Sequence, residues 1–86
     1  MKLERTVRFK KDWKRMKKRG ADLSKLTAAL QALYENQTLP GEHTLLFGEY
    51  NGLCDAHISP DWILLYEIQG ETIILHRTGT HSDLNL

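Results

Sequence analysis

The 86-residue chain is 41% hydrophobic and 27% charged, the composition of one ordinary globular domain. No apolar run approaches the ~20 residues of a membrane span, no charged-then-apolar leader opens the chain, and the single cysteine, Cys54, excludes an internal disulfide or a Cys-based zinc site. The net charge of +1 hides a division: residues 1–25 carry eleven Lys and Arg against three acidic residues, whereas residues 26–86 carry Arg77 alone against eight.

These features predict a single cytoplasmic domain over residues 1–86, with no membrane partner. The first segment stands at +8 and the remainder at −7. Such a split suits a polyanionic or strongly acidic partner for the basic part, although a solvated helix face is the plainer use of a charge run.

Residues 2–8, KLERTVR, alternate loosely and predict a short strand. From Phe9 the period becomes helical: Phe9, Trp13 and Met16 form an apolar line among Lys and Arg, and Gly20 is the expected stop. Asp22 is a good N-cap for a second helix. Leu23, Leu26, Leu30, Leu33 and Tyr34 supply its apolar stripe, and LPGEH, residues 39–43, ends it. So short a connection predicts an antiparallel helical hairpin.

The rest reads as strands. TLLFGEY, 44–50, runs into the Asn51-Gly52 turn, a strong hairpin signal. LCDAHIS alternates, with Cys54, Ala56 and Ile58 on one face and Asp55 and His57 on the other. Pro60-Asp61 turns the chain into WILLYEI, 62–68, whose unbroken apolar run fits a central strand covered on both faces. Gln69-Gly70 turns it again into TIILHRT, 72–78. The expected fold is α+β: a short strand and a helical hairpin packed on a mainly antiparallel sheet of four or five strands.

The polar clusters CDAHISPDW, 54–62, and RTGTHSD, 77–83, border the most apolar runs. RNA cleavage asks for a base on the 2′-hydroxyl, an acid on the leaving 5′-oxygen and a cation on the phosphate between them. Imidazole suits the first two tasks near neutral pH, and a guanidinium fork suits the third. His57, His81 and Arg77 supply these groups, and Asp61 can serve as a base or orient an imidazole. No metal or other cofactor is required. Each residue also has a structural reading: strand histidines are often exposed or structural, Asp after Pro is common in turns, Trp62 suits a core, and RTGTHSD suits a disordered tail. A metal site among His43, His57, His76 and His81 lacks ligand spacing.

DAHISPDWILLYEI followed by LHRTGTHSDL resembles the YafQ-type branch of the RelE/ParE superfamily of bacterial toxins, and the resemblance spans the whole chain. It implies a RelE-like fold and the toxin of a type II toxin–antitoxin pair: a ribosome-dependent mRNA endoribonuclease that inhibits translation. The implied partners are the ribosome with its rRNA, the mRNA, and a cognate antitoxin in a hetero-oligomeric complex. The resemblance gives acid–base roles to His57, Asp61 and His81, phosphate stabilisation to Arg77, and a site-wall or base contact to Trp62. It matches a further family histidine to His43. Lys10, Lys11, Lys14, Lys17 and Lys18 would then face RNA phosphates. The chain departs from the family pattern at Cys54, where Arg is frequent, at Asn85, where Phe is usual, and by one extra residue between His43 and Gly48. A gyrase-inhibiting ParE-like toxin and a non-catalytic nucleic-acid-binding domain are the alternatives; PDW and RTGTH argue against the first.

Overall fold

The computed structural model describes residues 2–35, 43, 44 and 48–86, without the side chains of His43 and Thr44. In chain order these form β1 (Lys2–Arg5), α1 (Val7–Lys18), α2 (Leu23–Tyr34), β2 (His43–Thr44), β3 (Cys54–Ser59), β4 (Trp62–Gln69), β5 (Thr72–Gly79) and α3 (His81–Leu84).

The first strand is shorter than its alternation suggests because Thr6 caps a helix. Its hydroxyl accepts from the Phe9 N–H at 3.0 Å and donates to the His76 carbonyl at 2.9 Å. The helix therefore begins at Val7 rather than Phe9. Asp22 caps α2 as expected, accepting from the Ser24 N–H at 3.1 Å. This helix ends at Tyr34, with Glu35 as its C-cap, before the LPGEH turn expected to end it; residues 39–42 of that turn lie outside the described residues. So do residues 45–47 of the strand expected over 44–50, whose residues 48–50 lie instead in the turn that leads into Asn51-Gly52.

One five-stranded sheet has the order β1-β5-β4-β3-β2, with β1 parallel to β5 and the other neighbours antiparallel. β4 is central, and its faces bury different partners. Trp62, Leu64 and Tyr66 join Phe9 and Met16 of α1 and Leu26 and Leu33 of α2 in the larger core. Ile63 and Leu65 join Tyr50 and Leu84 on the opposite face. The expected two-sided burial of β4 follows from this alternation.

The segment after Gly79 is a turn of helix rather than a loose tail. Thr80 and Asp83 form a capping box, and Leu84 is completely buried. No helix among the described residues is long and apolar enough to cross a membrane.

Candidate active site

The strand order decides which polar residues meet. Because β4 lies between β3 and β5, the end of β3, the β3–β4 turn and the start of α3 all arrive at one end of the sheet. Asp61 in that turn accepts from the His81 backbone N–H at 3.1 Å, and its Oδ1 lies 2.6 Å from His81 Nδ1. These bonds hold the Asp61 carboxyl below its ordinary range, the imidazole contact contributing most. The His57 ring sits 5.9 Å from the His81 ring, centroid to centroid, and has no hydrogen-bond partner among the described residues.

An imidazole whose Nδ1 hydrogen points at a carboxylate presents the lone pair of Nε2 outward when neutral. His81 is therefore oriented to accept a proton, and Asp61 is placed to stabilise the imidazolium that results. His57 stands beside it as a second imidazole, in ring contact with His81 and without a hydrogen bond among the described residues.

Arg77 occupies the same sheet face. Asp55, Leu65 and Arg77 align in one row across three strands, and His57, Ile63 and Gly79 align in the next, ~7 Å along the strands. The guanidinium is not free. Its Nε and one terminal nitrogen donate to Asp12 at 2.6 and 2.9 Å, and the other donates to the Tyr50 hydroxyl at 3.2 Å. The Asp12 carboxylate raises the Arg77 pKa, chiefly through these bonds. Two of the five guanidinium hydrogens remain for a phosphate, and the side chain is 12% exposed.

Residues 1–86 match the family described as the bacterial toxin of type II toxin–antitoxin systems, YafQ. The chain is 39% identical to the mRNA interferase toxin YafQ of Escherichia coli K12, over 95% of this chain and 92% of that protein. The chain belongs to the YafQ family. Its structure superposes with a TM-score of 0.87 on a histidine-to-glutamine mutant of E. coli YafQ, at 36% identity over 95% and 94% of the two chains. It superposes with a TM-score of 0.83 on YafQ in the E. coli DinJ–YafQ toxin–antitoxin complex, at 36% identity over 95% and 93%.

Within this YafQ-family chain the structure corrects one expectation. Trp62 is 5% exposed and belongs to the core beneath the helices, with its indole N–H on Thr78 Oγ1 at 2.8 Å. Its even position on β4 points it away from the row that holds His57, so it does not wall the site. His43 lies in β2 opposite Asp55; its side chain is outside the described residues. Lys10, Lys11, Lys14, Lys17 and Lys18 are all exposed along α1.

Asp12 is the site residue that the sequence reading missed. It is 3% exposed, and its carboxylate accepts from Arg77, from the Thr78 backbone N–H at 3.2 Å and from Arg15 at 2.8 Å. The start of α3 was missed too, although the sequence carries a signal for it: Thr80-x-x-Asp83 before Leu84 is a capping-box pattern.

Gly79 shows why the turn before α3 carries no side chain. A Cβ there would stand 2.9 Å from the Asp83 Cβ and 3.0 Å from its Oδ2. Gly79→Ala is therefore expected to push α3 outward and destabilise the protein by about 1–3 kcal/mol, measured by urea unfolding. A substitution without effect would mean that Asp83 is not packed against this turn.

Proposed function

We propose that this YafQ-family chain is an mRNA endoribonuclease that cuts translated messages at the ribosome by metal-independent acid–base catalysis. The observation that carries the reading is the pair of imidazoles 5.9 Å apart, one of them oriented by a carboxylate. The name of its E. coli relatives, mRNA interferase toxin, supports the same reaction.

In this scheme His81 Nε2 removes the 2′-hydroxyl proton, and that oxygen attacks the adjacent phosphorus. His57, in its protonated form, gives a proton to the departing 5′-oxygen. One P–O bond forms and one breaks, leaving a 2′,3′-cyclic phosphate and a 5′-hydroxyl. Asp61 stabilises the imidazolium formed at His81, and Arg77 offers its remaining N–H groups to the phosphate. His43 remains a candidate fourth participant. The exposed lysines of α1 approach rRNA phosphates, where counterion release gives sequence-independent affinity. The protein acts in the cytoplasm and is held inactive by a cognate antitoxin in a hetero-oligomeric complex, as the DinJ–YafQ complexes of its relatives suggest.

Mapping of cut sites on a message with and without translating ribosomes tests the reading. Cleavage is expected only with ribosomes, and to persist when a zinc- and copper-selective chelator is added while magnesium is retained. Loss of cleavage under that chelator would sink the metal-independent scheme. Equal cutting of free RNA would sink ribosome dependence.

A further inference from the structure

The turn that carries His81 is too short to hold itself. α3 spans His81–Leu84, far below the length at which a helix is stable alone. Its placement comes from contacts outside the turn. Leu84 anchors one end in the smaller core, and Asp61 holds the His81 backbone. A further hold comes from the other end of the molecule's basic helix.

Arg19, the C-cap residue of α1, sends a guanidinium fork to Asp83, at 2.6 Å to Oδ2 and 3.0 Å to Oδ1. The Asp83 carboxylate is fixed independently, since its Oδ2 also accepts from the Thr80 N–H at 3.0 Å and Gly79 leaves it room. The carboxyl is held far below the usual range, chiefly by Arg19. Exposed ion pairs are usually worth little. Here the carboxylate is 13% exposed, bidentate and already ordered by the cap, so the fork meets a preset partner.

We propose that Arg19 is a positioning residue for His81, acting through Asp83 to fix the turn on which the imidazole stands. The proposal rests on the acid–base reading of His81 given above. It assigns Arg19 a task different from the neighbouring lysines: it ties the basic helix to the proposed catalytic turn instead of meeting RNA.

The test uses the full chain with Arg19→Ala, Arg19→Lys, Asp83→Asn and the Arg19→Ala/Asp83→Asn double variant. Steady-state cleavage of a translated message is measured, together with NMR of the His57–His81 ring contact and the Asp61 carboxyl titration. Arg19→Ala should lower kcat about 10-fold, the scale of a slightly misplaced catalytic group, with KM within about 2-fold of the parent. The ring contact should weaken, and Asp61 should titrate closer to an ordinary aspartate. Arg19→Lys should recover part of the loss, because an ammonium cannot reproduce the fork. The double variant should be no worse than the more damaged single one, as expected for coupled residues.

A raised KM at unchanged kcat, with a shallower salt dependence, would make Arg19 a phosphate contact and overturn the proposal. Unchanged NMR signatures in Arg19→Ala would overturn it too. If the parent chain cleaves no RNA, the acid–base reading fails, and the NMR arm alone still decides whether Arg19 fixes His81.

Discussion

His81→Ala is expected to lower cleavage of translated mRNA by about 10²- to 10⁴-fold, the range for loss of a general acid or base, while the protein melts within a few degrees of the parent. The two halves of this expectation have separate grounds. The His81 side chain is 44% exposed and contributes nothing to either core. Leu84, the capping box and the Arg19 fork survive the substitution, so α3 should keep its place. The reaction, by contrast, loses the imidazole whose tautomer Asp61 sets. His81→Gln sharpens the test, because an amide can still donate to Asp61 but cannot take up a proton at neutral pH. Growth arrest on induction and cut-site yield in a translation extract are the measurements. Near-parental cutting by both variants, with melting unchanged, would remove His81 from the reaction.

Much of the fold was legible because its signals are local. The shift from alternation to helical spacing near Phe9, the Asp22 cap, the Asn51-Gly52 turn and the alternation through Cys54–Ser59 each need only a few neighbours. The mainly antiparallel sheet under two helices follows from them. The unbroken run at Trp62–Ile68 likewise indicated a strand buried on both faces. What was not legible depends on register or on distant partners. Trp62 reads equally well as core or as site wall until the pairing of Ile63 with His57 sets its parity. Four residues are too few to show helical periodicity, so α3 read as a disordered tail, and only its unused capping pattern marked it.

The convergence of the site lies between these extremes. His57 and Asp61 are close in sequence and were expected together. That His81 joins them depends on β4 lying between β3 and β5, which no local pattern dictates. Arg77 was identified by its isolation among acidic residues. Its engagement by a carboxylate 65 positions away leaves no mark on the sequence around either residue. Asp12 looks like an ordinary i,i+3 partner for Arg15 on a basic helix, and it does make that bond. Its second, larger role appears only because β1 stops at Arg5. Among the described residues the β5 edge beyond Leu75 has no strand partner on that side, and the N–H of Thr78 meets a helix side chain instead.

That role makes Asp12→Ala a large stability change, on the scale of truncating a core side chain. Removing one partner of a buried ion pair leaves the other charged and undersolvated, which destabilises by about 3–5 kcal/mol. Here the carboxylate is 4% exposed and the Arg77 side chain 12%, so water can replace little of what is lost. The Thr78 N–H, in a residue with no exposed surface, loses its acceptor as well. Urea unfolding should show the loss at unchanged m-value, and it should be a large part of the total stability of so small a domain. Asp12→Leu combined with Arg77→Met should recover part of it, because an apolar pair leaves no orphaned charge, although Thr78 remains unpaired. Cleavage should not recover with it, since the guanidinium is gone. That divergence between restored folding and absent cleavage separates the structural work of the Asp12–Arg77 pair from the phosphate-binding work proposed for Arg77. A double variant that regained both would show that Arg77 serves only the fold. An Asp12→Ala loss below about 1 kcal/mol, the range of exposed pairs, would show that the pair is open to water.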